Sequence, residues 1–263
     1  MEKPVFETYV GTLRVCVYRD RKQMGRAAAA FGVQKIEQVL ARKEMANVVF
    51  AAAPSQFELY EALAASGLDF SRIRAFHMDE YIGLPPSAPQ GFGNLLRTHL
   101  FSKLPFAQVF YFNGTAPDPQ AECARMSALL LQYPPDMVFH GIGENGHLAF
   151  NDPPNADFDD PASVKVVAMD EVCRMQQVHD GCFASIEDVP THAYTMTIPQ
   201  LTAAVGHIVV TVPGPTKTEA VYRMLREPVS TRLPASILRK HGDSVLVLDA
   251  DAAKRIMPMD ICV

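Results

Sequence analysis

Residues 141–153 read Gly-Ile-Gly-Glu-Asn-Gly-His-Leu-Ala-Phe-Asn-Asp-Pro. One imidazole, His147, sits among the acid and amide side chains of Glu144, Asn145 and Asp152, with glycines at 141, 143 and 146. Imidazole both accepts and donates protons near neutral pH, and glycines let a backbone approach a ligand closely. Alone, His147 would more often be a structural histidine. With Glu144, Asn145 and Asp152 so near, a catalytic role is the better reading. Gly141, Gly143 and Gly146 also match the bare spacing of a dinucleotide fingerprint. That fingerprint needs a helix to follow at once, and Asn151-Asp152-Pro153-Pro154 interrupts the chain instead.

Three other loops carry chemistry-bearing residues. In Phe76-His77-Met78-Asp79-Glu80-Tyr81-Ile82-Gly83, two adjacent carboxylates stand where an apolar run ends. A carboxylate partly desolvated there could serve as a base. From this loop alone, the plainer reading is a turn formed by Asp79 with Glu80 in solvent. In Val212-Pro213-Gly214-Pro215-Thr216-Lys217, the lysine falls in the first turn of a predicted helix, where its charge opposes the macrodipole. An anion held there, such as a phosphate, explains Lys217 better than a solvated surface position does. In Ala51-Ala52-Ala53-Pro54-Ser55-Gln56-Phe57-Glu58, Ser55 and Glu58 have capping-box spacing. A hydroxyl at a helix N-terminus equally suits a phosphate.

These loops need elements to hold them. Apolar strand-like runs at 47–51, 73–78, 109–112, 137–139, 164–167, 207–212 and 244–248 alternate with helical patterns. One helix is predicted to begin near residue 20. Another opens at Asp118-Pro119 and runs to about Gln132, and a third begins near Pro215. The alternation predicts an α/β fold, a doubly wound, mostly parallel sheet with helices on both faces, and one domain over residues 1–263. Ligands of such sheets bind beyond the carboxyl ends of the strands, where all four loops would lie. The Pro-rich stretch 151–161 reads as a structured active-site loop.

Bulk properties narrow the function. The chain has 263 residues, 48% of them hydrophobic and 20% charged, which is a globular profile. A net charge of −5 argues against a nucleic-acid surface, and no apolar run is long enough for a membrane span. No signal-peptide pattern is present. Five cysteines, at 16, 123, 173, 182 and 262, lack Cys-x-x-Cys spacing. This suits reduced thiols in the cytoplasm and argues against a zinc site.

Met78-Asp79-Glu80-Tyr81-Ile82-Gly83-Leu84-Pro85 and Gly141–Pro153 together resemble the two motifs of the glucosamine-6-phosphate deaminase (isomerase) family, which is related to the 6-phosphogluconolactonases. The order of elements is similar over nearly the whole chain. The resemblance implies a modified Rossmann-type sheet and a reaction. An amino sugar 6-phosphate would be opened, isomerised from aldose to ketose and stripped of ammonia, leaving fructose 6-phosphate. It implies that Asp79 moves a proton between carbons 2 and 1, that His147 assists ring opening, and that Asp152 positions His147. It further implies that Lys217 and Ser55 hold the phosphate. Glu80, Gly143, Glu144 and Gly146 would complete the active-site loops. No metal or organic cofactor is implied, and the partners expected are a sugar phosphate and further copies of the chain in a homo-oligomer.

Several positions depart from that pattern. Asn145 replaces an aspartate; it can orient the imidazole by hydrogen bonding but not stabilise it by charge. Asp152 is one methylene shorter than the family glutamate. The phosphate loop reads Ala52-Ala53-Pro54-Ser55-Gln56 and has lost both of the family's glycines, which changes how closely its backbone can approach an anion. Gln177 stands in place of a phosphate-binding arginine, with Arg174 one helical turn earlier and able to reach the same phosphate from a shifted helix. Glu144 matches the lactonases, whose motif then continues differently. Two alternatives follow: a 6-phosphogluconolactonase-type hydrolase, or a sugar-phosphate sensor without catalysis. The start of the first long helix near residue 20 leaves no room for an N-terminal DNA-binding domain in the second case.

Overall fold

A computed structural model describes residues 2–257, so Cys262 lies outside the described residues. The strands are β1 (Phe6–Val10), β2 (Leu13–Tyr18), β3 (Ala46–Phe50), β4 (Ile73–His77), β5 (Asp79–Tyr81), β6 (Gln108–Phe110), β7 (Met137–His140), β8 (Val164–Ala168), β9 (His192–Met196), β10 (His207–Val212) and β11 (Ser244–Asp249). The helices are α1 (Arg21–Leu40), α2 (Phe57–Ala64), α3 (Phe92–His99), α4 (Pro119–Gln132), α5 (Glu171–His179), α6 (Ile198–Leu201) and α7 (Thr218–Arg226). No helix among them is long and apolar enough to cross a membrane.

Eight strands form one sheet in the order β1-β2-β11-β10-β7-β3-β4-β6. Every pair is parallel except the β1–β2 edge hairpin. The inner strands are buried on both faces, which is why they read as unbroken apolar runs. Alternate residues serve opposite layers. Val48 and Phe50 of β3 join the core beneath α1 and α2, while Val49 joins the core beneath α4 and α7. Phe50 stacks on Phe139 of β7 with ring centroids 5.3 Å apart. Burial of each such side chain contributes about 1.5–3 kcal/mol.

Helix ends follow their local signals. Asp20 caps α1 and Asp118 caps α4, with Pro119 in the first turn of the latter. The expected capping box of Ser55 and Glu58 does not form. Residues 54–56 make a single 3-10 turn without a side-chain cap, and Glu58 pairs with Arg21 of α1 at 2.8 Å instead. A long-range cation has outcompeted the local hydrogen bond.

From β3 the chain steps outward through β4 and β6, then returns to β7 and continues the other way through β10 and β11. Adjacent β3 and β7 therefore launch their following loops in opposite directions. The crevice between those loops is the switch point of the sheet.

One expectation needs correction. β8 lies outside the parallel sheet, in a three-stranded antiparallel sheet ordered β5-β9-β8. The stretch before it, residues 152–163, contains no helix to serve as the crossover that a parallel strand requires. This small sheet sits beside the carboxyl ends of the main strands and carries Asp79 on its edge strand.

Candidate active site

Asp79, His147, Ser55 and Lys217 line one cavity at the switch point, with Ala51–Ala53, Gly141–Gly143, Phe92, Phe150, Gln176 and Gln177 around them. Four segments distant in sequence thus converge, and each supplies a different chemistry.

The imidazole is fixed from below. Asn145 Oδ1 lies 2.8 Å from His147 Nδ1 and also accepts the His147 backbone N–H at 3.0 Å. Asp152 Oδ1 lies 3.0 Å from the same Nδ1 and accepts from Asn145 Nδ2 at 3.0 Å. The shorter Asp152 therefore reaches the ring. Both acceptors face Nδ1, so this nitrogen carries the hydrogen and Nε2 is the one left to exchange protons. Burial would raise the Asp152 carboxyl, but the charge and hydrogen bond of His147, aided by Asn145, outweigh it and hold Asp152 below the ordinary carboxylate value.

Glycine is required where the ring lies. A Cβ on Gly143 would come within 2.1 Å of His147 Cε1, so any side chain there displaces the imidazole. Gly146 has φ of 84°, and the turn it makes is closed by its backbone N–H donating to Gly143 O at 3.0 Å. Ala149 also adopts a left-handed backbone, at φ 50°, which is costly for a residue with a Cβ. Asn151 holds the strained turn. Its Nδ2 donates to Leu148 O at 2.8 Å, Met196 O at 2.8 Å and Thr195 Oγ1 at 3.2 Å. Thr195 of β9 is also the register partner of Asp79, so one strand ties the carboxylate to the histidine loop. We expect Asn151→Ala, which strands buried acceptors, to cost about 1–3 kcal/mol of unfolding free energy. Urea denaturation followed by circular dichroism measures it; an unchanged midpoint would show that the turn holds itself.

Asp79 and Glu80, adjacent and both buried, behave in opposite ways because strand β5 points them apart. Asp79 Oδ1 has no hydrogen-bond partner. Burial, and secondarily the charge of Glu80, push its carboxyl well above the ordinary value. Glu80 is neither exposed nor part of this cavity. It turns to a neighbouring cavity and accepts the backbone N–H groups of Tyr81, Phe92 and Gly93 at 2.9, 3.0 and 2.8 Å, capping α3. Burial alone would raise Glu80, but His77, by hydrogen bond and charge, and the Gly93 and Phe92 N–H groups bring it below its ordinary value. Its stabilisation is present above the unfolded pKa and is lost as pH falls through the lower folded one. Glu80→Ala should therefore cost about 3 kcal/mol or more at neutral pH, with a smaller deficit in acid. Denaturant titration at two pH values tests this; an equal deficit at both would contradict the capping role.

Lys217 completes a 3-10 turn ahead of α7, and its side chain is buried. Burial lowers its pKa, partly offset by the charges of Asp180 and Glu144, neither of which forms an ion pair with it. Ser55 Oγ, 3.2 Å from Gln56 Nε2, lines the same cavity.

Two expected contributors are elsewhere. Arg174 donates to Ile186 O at 2.6 Å and Val189 O at 3.0 Å and stays out of the cavity. It satisfies carbonyls of the turn that follows α5. Gln176 and Gln177, further along that helix, face the cavity instead. Gln176 Oε1 accepts the Glu144 backbone N–H at 2.8 Å, and Gln177 Oε1 accepts from Tyr81 Oη at 2.8 Å. The Glu144 carboxylate turns to His179, 3.5 Å away. Sequence reasoning missed Thr195, Phe92 and Cys173. The sulfur of Cys173 lies 4.0 Å from His147 Nε2, a contact made by folding α5 over the loop.

Comparison with known proteins agrees with this architecture. A family model of glucosamine-6-phosphate isomerases and 6-phosphogluconolactonases matches residues 19–247. A glucosamine-6-phosphate deaminase of Lactobacillus delbrueckii subsp. bulgaricus is 33% identical over 241 residues, covering 92% of this chain and 98% of its own. One from an Exiguobacterium species is 39% identical over 197 residues, 75% of each chain. The solved structure of a monomeric glucosamine-6-phosphate deaminase superposes with a TM-score of 0.83 at 28% identity, covering 91% of this chain and 98% of that one. A 6-phosphogluconolactonase from Trypanosoma brucei shares the fold, with a TM-score of 0.76 at 18% identity over 92% of this chain and 98% of that one. The chain is an enzyme of the glucosamine-6-phosphate isomerase and 6-phosphogluconolactonase family.

Proposed function

We propose that the protein converts glucosamine 6-phosphate and water to fructose 6-phosphate and ammonia. The observation that carries this reading is the convergence of Asp79, His147 and Lys217 on one cavity. Lys217 and Ser55 hold the phosphate, a remote handle that places the reacting carbons. His147 Nε2 moves the proton between the anomeric hydroxyl and the ring oxygen, opening the ring to the aldehyde. Asp79 removes the proton from carbon 2 and returns it to carbon 1, which turns the amine carbon into an imine. Water adds to that carbon, the C–N bond breaks and ammonia leaves. A carboxylate with a raised pKa is a stronger base than an ordinary one, and here it is kept dry. Asp152 and Asn145 keep His147 in the productive tautomer. We expect the protein to form a homo-oligomer. A cytoplasmic location fits the four cysteines among the described residues, all of them free thiols.

The lactonase alternative rests on Glu144, whose carboxylate faces His179 and not the imidazole, so no geometry favours it. Purified protein assayed with glucosamine 6-phosphate and with 6-phosphogluconolactone separates the readings. We expect equimolar ammonia and fructose 6-phosphate, with kcat/KM for the amino sugar at least about a hundredfold above that for the lactone. Tight binding of glucosamine 6-phosphate without turnover would support the sensor instead.

A further inference from the structure

Gln56 is fully buried next to Ser55, which lines the cavity, and takes no part in the proposed reaction. Its Nε2 donates to Thr211 O at 3.0 Å and to Ser55 Oγ at 3.2 Å. A backbone carbonyl only accepts, so the contact with Thr211 O fixes which end of the amide is the nitrogen. The direction of the second bond follows: Ser55 Oγ accepts. Oε1 is buried without a partner, so the fold keeps this amide for its nitrogen at the cost of an unpaired oxygen. From this arrangement we infer that Gln56 is a positioning residue for anion recognition, one that fills an acceptor site of the Ser55 hydroxyl and leaves its hydrogen to be donated to the substrate phosphate. This role rests on the phosphate binding proposed above for Ser55 and Lys217.

A phosphate dianion accepts hydrogen bonds and cannot donate them, so a serine serves it only when the hydroxyl hydrogen faces it. A free hydroxyl rotates toward any nearby acceptor; one lone pair committed to an N–H narrows that rotation. Ala51, Ala52 and Ala53, which line the cavity beside Ser55, have no side-chain donor, so the serine supplies the hydrogen bond there. The same amide also links the two phosphate-binding segments. Thr211 belongs to β10, whose end leads through Gly214 into the turn of Lys217. One nitrogen thus ties the Ser55 turn to the strand that presents the ammonium. Gly141 of the histidine loop packs on the pair, since a Cβ there would lie 3.2 Å from Nε2 and 3.9 Å from Ser55 Oγ. Full burial of the amide keeps water from competing for either bond.

Binding of fructose 6-phosphate, measured by titration calorimetry, tests this role without turnover. Gln56→Met keeps the length and removes the donor. It should weaken binding about fivefold, against about tenfold for Ser55→Ala, and the double variant should lose no more than Ser55→Ala alone. Independent contributions would multiply to about fiftyfold, and that result would overturn the coupling of Gln56 to Ser55. In the ammonia assay the loss in Gln56→Met should fall on KM, with kcat within about twofold of the wild type. Its kcat/KM for unphosphorylated glucosamine should match that of the wild type, whereas a residue that merely supported the fold would lower both sugars alike. Circular dichroism confirms that each variant is folded. If Ser55→Ala weakens binding and Gln56→Met does not, Gln56 has no such role and the phosphate reading stands. If Ser55→Ala binds as tightly as the wild type, the phosphate role of Ser55 fails and that of Gln56 falls with it.

Discussion

Asp79→Asn should lower kcat by about 10²–10⁴ and at the same time make the protein more stable at neutral pH. The amide cannot take a proton from carbon, so the isomerisation step loses its base. The stability change follows from the other side of the same fact. Burial pushes Asp79 well above the ordinary carboxylate value, so the folded state disfavours its ionised form. A carboxyl whose folded pKa is raised binds its proton more tightly in the fold than in the unfolded chain. Unfolding free energy therefore falls as pH rises from the unfolded value through the folded one, and above it the full cost is present. Asparagine removes that cost, so its melting temperature at pH 7 should exceed that of the wild type, and the gap should close in acid. The wild-type kcat/KM should also fall, as pH drops, at a point above the usual carboxylate range, because only the ionised base works. Calorimetry at two pH values and a pH–rate profile check both signs. An Asp79→Asn protein that is inactive but less stable at neutral pH would mean that the carboxylate is held by something other than burial.

Lys217→Met should reduce kcat/KM by about 10²–10³, mostly through KM. In the proposed complex the buried Lys217 ammonium makes a charge-assisted contact with the phosphate, with little water to screen it. In the free enzyme that charge is a burden. Burial depresses the Lys217 pKa, which means the fold penalises the protonated form. A lysine with a lowered folded pKa destabilises the fold at pH values below it, so methionine, of similar length and no charge, should raise the melting temperature. Unphosphorylated glucosamine should be a poor substrate of the wild type and should discriminate little between the two proteins. Equal losses on both sugars would place Lys217 away from the phosphate. Both substitutions thus share a pattern in which a functional charge is held at the expense of stability.

Much of this was legible before the fold was known. Residues 141–153 spelled out their chemistry because the histidine, its amide and its carboxylate are neighbours in sequence, and local geometry alone brings Asn145 and Asp152 onto Nδ1. Asp118-Pro119 marked the start of α4 because a cap and a first-turn proline act within one turn. What depended on distant contacts was not legible. The sequence of Asp79-Glu80 does not say that one side chain will face the cavity and the other cap α3; pairing of Asp79 with Thr195 across strands decides that. Arg174 was expected at the phosphate because it lies one helical turn before Gln177, which stands where the family has its arginine, yet carbonyls at 186 and 189 claim it. The Ser55–Glu58 spacing was a true local signal that lost to Arg21 from another helix. Cys173 carried no signal at all, since its partners lie more than twenty residues away.

In the proposed reaction the Asp79 carboxylate takes the proton from carbon 2 of a phosphorylated amino sugar. Glucosamine 6-phosphate carrying deuterium at carbon 2 tests it in one reaction. We expect ammonia release with a primary isotope effect, with the deuterium gone from carbon 2 and recovered at carbon 1 of fructose 6-phosphate or in water, and none of this with Asp79→Asn. Ammonia released at an undiminished rate by Asp79→Asn, or no ammonia from the wild type at all, would contradict it.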